Sequence, residues 1–523
     1  MKTRPDRRRN RTRPLLVVVL AAHLLGCGSS SPGATRSDGG IDARSADGPI
    51  SGRPLAEGPF GFHPGTADGY SLLQDLGATW SRDGMYFVWD WIDARRDGEL
   101  KFKSATVPPK EGVPGSGGAF DYDAERIRLN PPAWVHVVVN VCPFRMGGEF
   151  ATPEQQETYR RFIVKLVERY DGDGDLGCTQ AAPDCYAPGD KEHPSQALID
   201  LFKANPVKHW QLCNQLTDTC EAADCKTSYA TKYAAALRLT YQAVKEADSS
   251  ASVLMAGDSA RDLYGPVFKE LGGEHVDIID FHRFGEETAY DPAADFDQLK
   301  LELQASGFEL GRLRFWITET STYSGDPVDD RTGGAGQPYQ SEKQQARGLL
   351  KIHVAALAHG IERIFWAWSI VEGFGCECCI FDYTGLVYDG NTENSSGCDA
   401  SDPYDQGVGV KKLGYYTYKL MVERLGGSTS VETLRSNGGV RLVRFTRPTG
   451  PVWVAWNDSA APAQVVIPGV SSSAIRITEA IPAATLGKEV TAYASAFATT
   501  TQPVSGGNAT VTVADVPLII APE

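Results

Sequence analysis

Between residues 59 and 425, short apolar runs alternate with longer amphipathic stretches, and this restricts the chain to folds built on a parallel sheet covered by helices. The apolar runs are Phe60 to His63, Ala78 to Arg82, Trp134 to Val141, His209 to Asn214, Ser252 to Gly257, Val276 to His282, Arg314 to Glu319 and Arg363 to Trp368. Several are apolar almost throughout, as strands must be when both faces are covered. The intervening stretches predict helices over Glu154 to Tyr170, Ser228 to Ala247, Asp297 to Ser306, Glu342 to His359 and Leu413 to Leu425. The helix from Glu154 follows Thr152-Pro153, a capping residue and a proline suited to a first turn.

The texture changes at Gly426. Short strands separated by turns follow, at Val440 to Thr446, Val452 to Trp456, Gln464 to Ile467, Ala474 to Thr478, Ala509 to Val513 and Leu518 to Ile520, and predict a small antiparallel β-sandwich over 426–523. Trp453 and Trp456 are aromatic residues in strands, read either as core or as a carbohydrate-binding face.

The N-terminus carries seven Lys/Arg and one Asp in its first 26 residues, with an apolar stretch from Pro14 to Leu25 too short to span a bilayer. This is the layout of an export signal over 1–27. Its ending, Leu24-Leu25-Gly26-Cys27, resembles a bacterial lipobox, which implies lipidation of Cys27 and a cell-envelope lipoprotein held to the membrane by that anchor alone. Residues 28–57 are Gly, Ser, Asp, Arg and Pro with almost nothing to bury, the composition of a disordered tether. The formal charge of the whole chain is −15 despite that basic start, which argues against a nucleic-acid partner.

Ten cysteines follow Cys27, an even number that favours disulfides in an exported chain. Candidate pairs are Cys178 with Cys185, Cys220 with Cys225, and Cys142 with Cys213, although spacing alone does not fix the connectivity. The cluster Cys376-Glu377-Cys378-Cys379 has no nearby His or second CxxC, so disulfide chemistry suits it better than a metal.

Two strand ends carry the chemistry: Asn214-Gln215 after Val207 to Cys213, and Glu319 within Trp316-Ile317-Thr318-Glu319-Thr320. Together with Thr79-Trp80-Ser81-Arg82 and Ile279-Asp280-Phe281-His282-Arg283-Phe284, they resemble the clan A glycoside hydrolases, and the likeness extends over nearly all of residues 59 to 456. The resemblance implies a (β/α)8 barrel with its chemistry at the C-terminal strand ends. It implies Glu319 as the nucleophile of a retaining mechanism, Asn214 at the sugar 2-hydroxyl, and Arg82 beside Glu319, where its charge would favour the carboxylate. His282, Asn140 and Trp368 would complete a sugar site, Trp368 as a flat face for stacking.

The chain departs from that pattern twice. The acid/base position is Gln215, and a carboxamide cannot protonate a leaving oxygen; Phe284 stands where many relatives have a Tyr. Three readings follow: a polysaccharide- or glycoconjugate-directed hydrolase restricted to good leaving groups, a sugar-binding pseudoenzyme, or an adhesive or structural lipoprotein with no sugar site, which accounts for the tether and cysteines but not for the ordered strand ends. Asp218, Glu221 and Asp224, in the loop after Gln215, are alternative acids. No cofactor is expected. Asp171, Asp173 and Asp175 alternate as calcium ligands do, but an EF-hand reading fails because its positions 6 and 12 are Leu176 and Ala182. Gly257-Asp258-Ser259-Ala260 lacks the second glycine of a nucleophile elbow, the place being taken by Arg261.

Overall fold

The computed structural model describes residues 58–63, 70–108, 117–143, 152–174, 189–216, 228–327, 337–372, 380–390 and 403–523, without the side chains of 83–85. The proposed signal, Cys27 and the tether lie outside these residues. So do Asp175, the alternative acids of the 217–227 loop, and every cysteine except Cys142 and Cys213.

Eight strands form a closed parallel barrel. They are β1 (Phe60–His63), β2 (Trp80–Val88), β3 (His136–Cys142), β4 (His209–Leu212), β5 (Ser252–Leu254), β6 (Ile278–Phe284), β7 (Arg314–Ser321) and β8 (Arg363–Ala367), each pairing with its sequence neighbours and β8 closing on β1. The lower interior is filled by Trp80, Val138, Leu254, Ile278, Trp316 and Phe365, all fully buried. Gly61 is required by that plug: a Cβ there would come within 2.8 Å of both Phe365 and Trp80. Burial, reinforced by the charges of Arg314 and Arg363, holds the His209 imidazole well below its ordinary pKa, so it joins the plug as a neutral ring.

Helices cover the barrel. Pro153–Tyr170 and Glu342–Ala358 both begin with capping boxes, Thr152 with Gln155 and Ser341 with Gln344, which satisfy end amides reciprocally. Helices Gln196–Ala204 and Tyr264–Leu271 are too short to have stood out in the sequence. No helix among the described residues is long and apolar enough to cross a membrane.

The C-terminal region is antiparallel, as expected: a six-stranded sheet and a two-stranded sheet, formed by strands between Ser430 and Pro522. Trp453, Val465, Val511 and Ile520 belong to one buried cluster that draws on both sheets. Val443, Phe445, Val454 and Trp456 pack instead into the cluster of the barrel and its helices. Trp453 and Trp456 are thus core residues and offer no face to a carbohydrate.

Candidate active site

Two irregularities in the barrel aim the site residues. Between Ile317 and Thr320, β7 spends one residue more than β6 and β8 do beside it, and such a bulge re-aims side chains at a barrel rim. It lets Thr318 and Glu319 both reach inward. On the other side, β4 stops at Leu212 because Cys213 adopts a left-handed φ of 58°, turning the chain so that Asn214 and Gln215 face the mouth. The Cys142–Cys213 disulfide, one of the candidate pairs, ties this corner to the end of β3.

Arg82 organises the centre. It is fully buried and its fork is spent on three partners: Nη1 donates to Glu319 Oε1 at 2.5 Å, Nη2 to Asn214 Oδ1 at 2.6 Å, and Nε to Gln211 Oε1 at 2.7 Å. A guanidinium and a carboxylate removed from water together are tolerable only when they pair with each other and with further polar partners, as here. Glu319 has a ring nitrogen near each oxygen, His63 Nε2 at 3.6 Å from Oε1 and His282 Nδ1 at 3.4 Å from Oε2.

The histidine tautomers follow from their partners. His63 Nδ1 lies 2.8 Å from the Arg82 carbonyl, which only accepts, so Nδ1 carries the proton. The Thr318 hydroxyl donates to Asp280 Oδ2 at 2.5 Å and therefore accepts from His282 Nε2 at 3.2 Å. His282 Nδ1 is left facing both Glu319 and the Gln215 amide, 3.3 Å away. Gln215 thus stands beside the carboxylate, across one ring nitrogen.

Beneath lies a polar layer. Gln211 Nε2 donates to Asp280 Oδ2 at 2.6 Å, and Gln211 Oε1 also accepts from Asn140 Nδ2 at 3.2 Å. Asn140 donates as well to the Cys213 carbonyl at 3.0 Å, fixing the corner that bears Asn214. Asn140 therefore sits one layer below Glu319 and supports the site from there. Trp368 lies at the rim, its ring centroid 4.5 Å from that of His63 and its backbone N–H bonded to Thr384 Oγ1 at 2.9 Å. Phe284 packs edge-on against Phe381 at 4.8 Å, and Phe381 against Trp368 at 5.9 Å.

Arg82, Asn214, Gln215, His282 and Glu319 thus meet in one cluster, with Asn140 below and Trp368 beside it. Sequence reasoning missed His63, Gln211, Asp280 and Thr318. The signal was present for three of them: His63 ends β1, and Gln211 and Asp280 lie two or three residues before singled-out positions on inward-facing strands. Thr318 depends on the bulge in β7.

Asp171 and Asp173 gather with Glu168, their carboxylate oxygens within 4.8 Å of one another. Burial pushes the Asp171 carboxyl up to about 7. This cluster follows an outer helix whose end leads back to the start of β4, so it belongs to the face of the barrel opposite Glu319.

No family model matches this chain, and no curated protein matches it. Solved structures do. A family 39 glycoside hydrolase from the gut symbiont Bacteroides cellulosilyticus WH2 superposes with a TM-score of 0.51 at 13% identity, covering 90% of this chain and 81% of the other. A GH51 alpha-L-arabinofuranosidase from Thermotoga petrophila RKU-1 gives 0.52 at 11%, covering 90% and 97%. A GH51 arabinofuranosidase from Xanthomonas axonopodis pv. citri gives 0.51 at 13%, covering 91% and 97%. At such identities the likeness concerns the fold: the chain shares the closed parallel barrel of clan A glycoside hydrolases.

Proposed function

We propose that this chain is a glycoside hydrolase-like protein acting on a polysaccharide or glycoconjugate through a retaining mechanism, with Glu319 as nucleophile. The observation that carries this reading is the buried carboxylate of Glu319, gripped on one oxygen by Arg82 and flanked by His63 and His282 at the C-terminal strand ends. A nucleophile must be held in one geometry, and a buried guanidinium bonded to one of its oxygens supports that. Asn214, oriented by Arg82, would meet the sugar 2-hydroxyl, and Trp368 would stack on the ring.

Gln215 occupies the acid/base position without a proton to give. The first step then depends on the leaving group's own stability, and the second on unassisted water. Azide attacks without a general base, so release of aglycone from activated aryl glycosides should rise with azide, and Gln215→Glu should extend turnover to unactivated glycosides. If the folded protein releases nothing under either condition, the hydrolytic reading falls.

The second reading is a sugar-binding pseudoenzyme, favoured by Gln215 itself. It would bind oligosaccharide through Trp368 and Asn214 and show no turnover even as Gln215→Glu. In either case we place the protein in the bacterial cell envelope, exported by the 1–27 signal and tethered through Cys27 and residues 28–57. Its barrel would be carried by 58–425 and its sandwich by 426–523. Support for that placement is the basic, apolar and lipobox-like order of the N-terminus.

A further inference from the structure

Among the described residues, one side of the mouth of the site is aromatic. From His63 the rim continues as Trp368, Phe381 and Phe284 and returns to His282, each ring within 6.4 Å of the next. Trp368 is buried, whereas Phe284 and Phe381 are only partly buried. Phe284 pairs in register with Ser321, two residues beyond Glu319, and the turn carrying Phe381 reaches back to the same strand end, the Ser324 N–H bonding to the Tyr383 carbonyl at 3.3 Å. The two phenyl rings therefore meet beyond the end of β7, on the way out from Glu319, and Phe284 and Gln215 both flank His282.

This arrangement matches what Gln215 demands. A leaving group that receives no proton must depart as a stable anion, and an aromatic oxygen does so far more readily than a sugar or alkyl hydroxyl. An aromatic group is also what a partly buried edge-to-face phenyl pair accommodates, by stacking or by a further edge contact. Resting on the hydrolase reading above, we propose that the substrate is a glycoside of a phenolic aglycone, and that Phe284 and Phe381 bind its aromatic ring. In the first step a Glu319 oxygen bonds to the anomeric carbon as the bond from that carbon to the aryl oxygen breaks. The bonding pair leaves with the aryloxide, and no proton moves. Water then adds at the anomeric carbon, its proton passes to solvent, and Glu319 is released as carboxylate.

Glycosyl fluorides test this, because fluoride leaves without protonation and offers no ring to bind. The ratio of kcat/KM for a 2,4-dinitrophenyl glycoside to that for the fluoride of the same sugar is measured across a panel of pentoses and hexoses. In Phe284→Ala and Phe381→Ala this ratio should fall about tenfold, through KM for the aryl substrate, while Phe284→Tyr should keep it. Fluoride turnover reports that each variant is folded. An unchanged ratio in both alanine variants overturns the aglycone assignment alone. No turnover of either substrate by the folded native protein removes the hydrolase reading, and this inference with it.

Discussion

Arg82 is the residue on which the site's charge balance turns. It is the cation that contacts Glu319 directly, and through Gln211 it is linked to a second buried carboxylate, Asp280. Asp280 in turn accepts from the Thr318 N–H at 2.8 Å and from its hydroxyl, so both carboxylates are fixed by named donors. Space is as constrained as charge. A Cβ at Gly257 would lie 2.3 Å from the His282 ring and 2.7 Å from Asp280 Oδ2. Gly257→Ala must therefore displace His282 from Glu319. The expected result is a loss of about 2 kcal/mol in stability, read from the urea midpoint, with a fall in aryl glycoside turnover larger than that loss explains. In the sequence Gly257 stands at the end of an apolar run and in a segment that fails as a nucleophile elbow; its real role is the close approach of backbone to ring, which no motif announces.

The strands and helices show which signals reach the sequence and which do not. The runs at Phe60 to His63 and Leu413 to Leu425 have the ends read from their patterning, because hydrophobic periodicity and boundary coincide there. The run at His209 was expected to continue to Asn214, but the left-handed turn at Cys213 ends it at Leu212. That corner depends on its disulfide, which joins residues 71 apart in sequence. Cys142→Ser with Cys213→Ser should cost about 3 kcal/mol in denaturant unfolding and raise KM by loosening Asn214. Helix Glu342–Ala358 carries a second test. His353 is fully buried among the rings of Phe60, Trp366 and Tyr418; Nδ1 donates to the Leu349 carbonyl, and Nε2 has no hydrogen-bond partner among the described residues. Burial lowers its pKa to about 4, so between there and about 6.5 the unfolded chain binds a proton that the folded one refuses. Its contribution is present above pH 6.5 and lost as pH falls toward 4, by about 3 kcal/mol. His353→Gln should show a correspondingly shallower loss of stability between pH 7 and pH 5.

At the scale of the molecule, barrel and C-terminal sheets share one hydrophobic cluster and several polar ties. Glu342, buried at the start of its helix, accepts from the N–H groups of Leu413 at 2.7 Å and Gly487 at 2.8 Å. Lys351 pairs with Asp458 at 2.9 Å and Arg441 with Asp291 at 2.7 Å. Removing residues 427–523 should expose that apolar face and leave the remainder insoluble; a soluble barrel with an unchanged urea midpoint would show the two regions to be independent. Alternation of apolar runs made the architecture legible, and strand-end residues made the cluster of Arg82, Asn214, Gln215, His282 and Glu319 legible. The lower polar layer was legible only in part: Asn140 stands out in the sequence, whereas Gln211 and Asp280 have only their spacing from strand-end residues to mark them until the barrel closes. The most direct test is covalent. The native protein is incubated with a panel of 2-deoxy-2-fluoroglycosyl fluorides, digested, and its peptides weighed. A single glycosyl adduct on Glu319, absent from Glu319→Gln, is the expected result; an adduct elsewhere, or none on a folded protein that hydrolyses activated glycosides, would contradict Glu319 as the nucleophile.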